Sequence, residues 1–128
     1  MKKILIVEDH PGMREALRRQ IQSWGFAAIT ASNGKEGVET ALKEKADLIM
    51  IDLMMPEMDG LQMTEILRSN PATKEVPIIA VTAAFRRQDR QNCMGAGCND
   101  YIVKPFKLDE LHKKINALVQ QESNKHDS

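Results

Sequence analysis

The chain has 128 residues, enough for one domain whose hydrophobic core needs no disulfide or structural metal. Lysine and arginine number 18, and aspartate and glutamate also number 18, so the charge balance predicts no direct binding to nucleic acid or membranes. No apolar stretch approaches the ~20 residues that a membrane-spanning helix needs.

The N-terminus carries positive charges at Lys2 and Lys3, as a secretory signal peptide does, but its apolar run stops at Val7. Glu8 and Asp9 follow directly, so the apolar segment is too short for such a signal. We therefore expect a cytoplasmic protein whose fold begins at residue 2.

Five short apolar runs predict β-strands. They are Lys3–Val7, Ala27–Ala31, Asp47–Ile51, Val76–Thr82 and Tyr101–Val103. The first, third and fourth runs are nearly continuous in Ile, Leu, Val and Ala. This composition is typical of central strands in a parallel sheet, because helices cover both faces of such a sheet.

Helical patterns fill the gaps between the strands. Helices are predicted after Pro11, after Asn33 with Glu36 at its capping-box position, from Leu61 to Leu67, over residues 87–95, and from Leu108 onward. The polar residues Gln121–Ser128 are expected to form a tail behind a domain at residues 2–120. The alternation predicts an α/β fold with helices on both faces of a five-stranded parallel sheet.

Ligands of such sheets bind at the carboxyl ends of the strands. The residues found there are Glu8, Asp9, Asp52, Thr82 and Lys104. Taken singly, each has a structural explanation: Asp9 could cap the first helix, and Thr82 the fourth. Together they bring like charges to one edge, and clustered carboxylates repel one another unless something compensates them.

Magnesium would compensate that charge. Mg²⁺ takes oxygen ligands and is commonly held by one or two carboxylates plus a phosphate, so Glu8, Asp9 and Asp52 could hold it. A carboxylate can also act as a nucleophile and form an aspartyl-phosphate. Lys104 would then offer a charge, and Thr82 a hydroxyl, to the phosphoryl oxygens.

Four segments resemble the receiver domain of bacterial two-component response regulators. They are Ile-Leu-Ile-Val-Glu-Asp at 4–9, Asp-Leu-Met-Met-Pro-Glu-Met-Asp-Gly at 52–60, Val-Thr-Ala at 81–83 and Tyr-Ile-Val-Lys-Pro-Phe at 101–106. The resemblance covers residues 2 to 120. It implies a flavodoxin-like strand order, 2-1-3-4-5.

The resemblance also implies the roles of individual residues. Asp52 would accept a phosphoryl group from a histidine kinase or histidine phosphotransferase, and the backbone carbonyl of Met54 would join the carboxylates as a Mg²⁺ ligand. Thr82 and Tyr101 would form the switch, with a cis peptide bond before Pro105. Helix 4, strand 5 and helix 5 would present the changed face to an output protein whose identity the sequence does not indicate.

Three positions depart from the usual family pattern. His10 follows the acidic pair, and imidazole is a poor Mg²⁺ ligand. Met54 and Ala84 lie where family members tune loss of the phosphoryl group, and neither side chain can orient a water. We therefore expect slow self-dephosphorylation.

Two further features have simpler explanations. Cys93 and Cys98 are expected to be free thiols, since a pair without flanking histidines is a poor metal site. Arg86, Arg87 and Arg90 are expected to form a solvated helix face, or else to dock an acidic partner.

Other functions on this fold fit less well. A metal-dependent aspartyl phosphatase usually carries its two aspartates one residue apart after the first strand, and a nucleotide or flavin binder needs a phosphate loop there. A receiver-like protein-interaction module that does not use phosphorylation stays the alternative. We expect a switch that catalyses only its own phosphorylation and dephosphorylation, and a stand-alone regulator or relay intermediate rather than an excised domain.

Overall fold

A computed structural model describes residues 1–53, 55, 58–83 and 87–127, with the backbone alone for 121–127. The elements are β1 Lys3–Val7, α1 Pro11–Ser23, β2 Ala27–Ala31, α2 Gly34–Glu44, β3 Leu48–Asp52, α3 Gly60–Ser69, β4 Ile78–Thr82, α4 Arg87–Ala96, β5 Asp100–Val103 and α5 Leu108–Asp127. Within these ranges, no helix is long and apolar enough to cross a bilayer.

The five strands form one parallel sheet in the order β2-β1-β3-β4-β5, which confirms the predicted fold class. Because side chains alternate along each strand, the sheet contributes side chains to two cores, one on each face. Leu5 and Ile49 face a core that includes Met63 of α3. Ile4 and Leu48 face the other core, which receives α1 and α5.

The start of α1 differs from the sequence-based alternative for Asp9. The N-cap residue is His10, whose Nδ1 accepts a hydrogen bond from the backbone N–H of Met13 at 3.1 Å. Asp9 precedes the cap and is exposed, which leaves its carboxylate available to the strand-end cluster. Thr82 does not cap α4 either, because that helix begins at Arg87.

Strand β4 begins at Ile78, two residues later than the predicted start at Val76. The carbonyl of Val76 accepts a hydrogen bond from Arg68 Nη1 at 2.7 Å, and Pro77 has no N–H to donate. The carbonyl of Val76 and the nitrogen of Pro77 therefore make no hydrogen bond that would extend the strand. Helix α5 continues to Asp127, and the division between a domain at 2–120 and a tail stays a prediction.

Candidate functional site

The parallel register brings the predicted strand-end residues to one edge of the sheet. Asp52 is the last residue of β3 and pairs with Val81, and Thr82 ends β4 opposite Val103. Glu8 follows β1 directly and is held there by a hydrogen bond from its N–H to the carbonyl of Ala31 at 3.1 Å.

Lys104 joins two buried carboxylates across the sheet edge. Its Nζ donates to Glu8 Oε1 and to Asp52 Oδ2, each at 3.2 Å. The lysine side chain is 28% exposed, whereas the carboxylates are 3% and 6% exposed. One cation thus neutralises part of a buried double negative charge.

Asp9 completes a group of three acids. Ligand oxygens of Glu8, Asp9 and Asp52 all lie within 4.8 Å of one another. They line a cavity of about 610 Å³, to which His10 and Lys104 also contribute. Three carboxylates at this spacing are a suitable donor set for a hard divalent cation.

The electrostatics of Glu8 fit a cation site. Burial, followed by its hydrogen bond and charge repulsion with Asp52, raises the pKa of Glu8 from 4.5 to about 7, against a lowering effect of the His10 N–H. Burial would lower the pKa of Lys104, but the charges and hydrogen bonds of the two acids prevail and raise it. Without a metal ion, the site therefore carries more negative charge than Lys104 neutralises, and the excess favours binding of a proton to Glu8.

Arg14 is a contributor that the sequence analysis missed. Its Nη1 donates to the carbonyl of Glu8 at 3.0 Å and to that of Asp9 at 3.4 Å. The N–H of His10 adds a bond to Glu8 Oε2 at 3.2 Å. A helical side chain leans toward the N-terminus of its helix, so a basic residue in the first turn of α1 was the available signal.

The predicted switch residues lie along β4 and β5. Thr82 is buried, and its carbonyl accepts a hydrogen bond from the N–H of Lys104 at 2.7 Å. Tyr101 is half-buried, with the guanidinium of Arg90 5.1 Å and the ammonium of Lys114 6.0 Å from its ring centroid. The peptide bond before Pro105 is cis, as expected.

Several residues of the sequence analysis fall outside the described residues. They are Met54, Ala84 and Arg86. The expectations attached to them, a carbonyl ligand from Met54 and slow dephosphorylation from Met54 and Ala84, therefore stay predictions.

An apolar groove adjoins the site and had not been predicted. It has a volume of about 480 Å³ and lies between α1 and the start of α5, with Leu17, Phe106 and Leu108 among its lining residues. Met13, Ala16 and Lys104 line both this groove and the acidic cavity, so the two spaces are neighbours.

Comparison with known sequences points to one family. A family model described as the response regulator receiver domain matches residues 4–116. The transcriptional regulatory protein HprR from Escherichia coli (strain K12) is 36% identical over 119 residues, which are 93% of this chain but 52% of that relative. The chain spans 38% of another relative, the transcriptional activator protein PfeR from Pseudomonas aeruginosa, at 37% identity.

Comparison with solved structures agrees. The chemotaxis protein CheY4 from Vibrio cholerae superposes with a TM-score of 0.88 at 29% identity, covering 92% of this chain and 98% of that one. The receiver domain of sensor histidine kinase PA1611 from Pseudomonas aeruginosa, with a magnesium ion coordinated in its active-site cleft, gives a TM-score of 0.86 at 34% identity. That match covers 93% of this chain and 98% of the other.

Proposed function

The chain belongs to the response regulator receiver domain family, and we propose that it is a switch that accepts a phosphoryl group on Asp52 in the presence of Mg²⁺. The observation that carries the proposal is the position of Lys104 Nζ, 3.2 Å from both Glu8 Oε1 and Asp52 Oδ2. From that position the ammonium of Lys104 can exchange a hydrogen bond to a carboxylate for one to an oxygen of an incoming phosphoryl group.

The proposed reaction takes a phosphoryl group from a phosphohistidine of a histidine kinase or histidine phosphotransferase. One oxygen of Asp52 attacks phosphorus, the new O–P bond forms, and the N–P bond to the donor imidazole breaks. The freed imidazole nitrogen takes up a proton. Lys104, and in our proposal the hydroxyl of Thr82, bind phosphoryl oxygens and so stabilise the charge in transit.

Glu8, Asp9 and Asp52 would hold the Mg²⁺, and the raised pKa of Glu8 supports this assignment. The backbone carbonyl of Met54 is added on the family resemblance. When bound, Mg²⁺ supplies positive charge that allows a dianionic phosphoryl group to approach three carboxylates. Arg14 acts as a positioning residue, since it binds the carbonyls of the loop that carries two of these acids.

We propose that the apolar groove beside the site receives a helix of the phosphodonor. The groove shares Met13 and Lys104 with the acidic cavity, so a helix seated against Leu17 and Phe106 would bring its histidine toward Asp52. The proposed donor is a cytoplasmic kinase module, so we place the chain in the cytoplasm as well.

We propose that the output leaves through α4, β5 and α5 to a protein partner rather than directly to nucleic acid. A phosphoryl group on Asp52 would draw Thr82 toward it and let Tyr101 move inward from its place near Arg90 and Lys114. Such a change is economically described as a shift between two existing states.

Mass spectrometry of the intact chain tests the proposal. Incubation with Mg²⁺ and acetyl phosphate should add one phosphoryl group, and Asp52→Asn should add none. Asp109→Asn, which changes an exposed acid in the first turn of α5, is the matched control and should label normally. Equal labelling of wild type and Asp52→Asn would refute the site, and no labelling of either would favour an interaction module that does not use phosphorylation.

A further inference from the structure

The C-terminal end of α4 is closed by a Schellman motif. The N–H of Cys98 donates to the carbonyl of Cys93 at 3.2 Å, and the N–H of Gly97 donates to the carbonyl of Met94 at 3.1 Å. Gly97 has a φ of 115°, which favours glycine. A motif of this kind frequently places the side chains of its first and last residues against each other, and here both residues are cysteines.

The two thiols are buried in the same core. Cys93 is 1% exposed and Cys98 is 5% exposed, and both belong to the core cluster that contains Met63 of α3. A disulfide requires Cα atoms within ~7 Å of each other, and the backbone hydrogen bond of 3.2 Å from Cys98 to Cys93 holds the two residues at about that separation. The pair could therefore be oxidised without a large backbone movement.

The surroundings make the two thiols unequal. The hydrogen bond from Cys93 lowers the pKa of Cys98 against the effect of burial, with support from Thr64, whose Oγ1 lies 3.9 Å from Cys98 Sγ, and from the charge of Arg68. Arg68 is fixed beside the pair, because its Nε donates to the carbonyl of Gly97 at 2.9 Å. The same hydrogen bond and burial raise the pKa of Cys93. Cys98 is thus the first nucleophile of the pair.

Helix α4 is weakly attached to the core. Among its residues, all of which are described, Cys93 is the one buried side chain. A helix held by so few buried contacts opens at low cost, and opening exposes both sulfur atoms to small solutes.

We propose that Cys93 and Cys98 form a dithiol–disulfide switch that is oxidised by a peroxide. The Cys98 thiolate attacks one peroxide oxygen, the O–O bond breaks, and the sulfur becomes a sulfenic acid as hydroxide leaves. The thiol of Cys93 then loses its proton to that hydroxide and attacks the sulfenic sulfur, and the second hydroxide leaves and is protonated to water. Two thiols and one hydrogen peroxide thereby give one disulfide and two waters.

The disulfide would tie the end of α4 to the residues that lead into β5. That consequence for signalling rests on the proposed function, since it matters only if α4 and β5 move on phosphorylation. Formation of the disulfide does not depend on the phosphorylation site.

The test is exposure of the folded, reduced 128-residue chain to hydrogen peroxide, followed by acid quench and mass spectrometry. We expect loss of two hydrogens per monomer, located in the tryptic peptide 91–107, which contains both cysteines because trypsin does not cleave between Lys104 and Pro105. Cys93→Ser should instead retain an added oxygen on Cys98. Cys98→Ser should react severalfold more slowly than Cys93→Ser.

Two variants separate a built switch from an incidental pair of thiols. Thr64→Val removes the hydroxyl beside Cys98, and Gly95→Ala strengthens α4 at a position where a Cβ meets nothing within 4 Å. Each variant should slow disulfide formation severalfold. Asp52→Asn should form the disulfide at the wild-type rate, whether or not Asp52 accepts a phosphoryl group. Disulfides only between chains, or thiols that react only after denaturation, would overturn the proposal.

Discussion

Lys104 Nζ donates to Asp52 Oδ2 at 3.2 Å across 52 positions of sequence, and the same ammonium donates to Glu8 Oε1. The lysine therefore compensates the charge of two carboxylates that would bind Mg²⁺, one of which would accept the phosphoryl group. Mutation of the lysine can separate these two proposed functions of the site, binding the metal and receiving the phosphoryl group.

Replacement Lys104→Met should uncouple these functions. We expect the rate of phosphorylation by acetyl phosphate to fall about tenfold or more, a barrier increase of ~1.4 kcal/mol, because a phosphoryl oxygen loses its cation. Affinity for Mg²⁺, measured by isothermal titration, should stay equal or rise, because a competing positive charge is gone. Lys113→Met, at an exposed position of α5, is the control. Weaker Mg²⁺ binding in Lys104→Met would show that the lysine organises the metal ligands instead.

The raised pKa of Glu8 predicts how metal binding and stability depend on pH. Folding raises that pKa from 4.5 to about 7, so the folded, metal-free state holds one more proton between these values. The free energy of unfolding should therefore fall as pH rises from 4.5 to about 7. Mg²⁺ must displace the same proton, so its affinity should rise by up to about tenfold per pH unit over that interval.

Glu8→Gln is the matched variant for this prediction, because it keeps the shape of the side chain and cannot titrate. Its Mg²⁺ affinity should be weaker above pH 7 and nearly flat with pH below it. In thermal unfolding without metal, the stability of Glu8→Gln should depend much less on pH between 4.5 and about 7 than that of the wild type. A pH dependence of metal binding that is identical in both proteins would assign the proton to another group.

His10 should contribute to stability rather than to metal binding. Its Nδ1 accepts the N–H of Met13 at 3.1 Å, so His10→Ala should lower the free energy of unfolding by about 1 kcal/mol, the usual cost of losing an N-cap. His10→Asn should retain most of it. Urea unfolding can be followed by the fluorescence of Trp24, which stacks on His112 with ring centroids 4.1 Å apart. A large loss of Mg²⁺ affinity in His10→Asn would contradict a purely capping role.

Substitution by alanine should have opposite effects on stability at two glycines. At Gly60 a Cβ would lie 2.8 Å from the Leu53 Cα and 2.8 Å from Ile51 Cγ2, so Gly60→Ala should destabilise the fold by about 1–3 kcal/mol. At Gly95 a Cβ meets nothing within 4 Å, and alanine in a helix should stabilise by about 0.5–1 kcal/mol. Chemical denaturation of both variants measures the change in the free energy of unfolding. Equal changes would show that the protein has room for a Cβ at Gly60, against the 2.8 Å distance to Leu53 Cα.

Most of the fold could be predicted because its signals are local. Short apolar runs located β1 and β2 at the observed bounds, and the cap residue Asn33 marked the start of α2. The delayed start of β4 could not be predicted, because it depends on Arg68, a residue of another helix, taking the carbonyl of Val76. The His10 cap was missed because several polar residues at that turn satisfy the same local pattern.

The sequence by itself determined the order of strands and helices and the chemical types at the strand ends, because periodicity and residue type are properties of the chain alone. Only the tertiary structure decided that Lys104 contacts Glu8, which is 96 positions away, that Arg14 holds the acidic loop, and that a backbone hydrogen bond joins two buried cysteines at the end of α4. Hydrogen bonds and pKa shifts depend on distances of a few ångströms and on burial. Those quantities arise only when distant segments pack, so no pattern along the chain contains them.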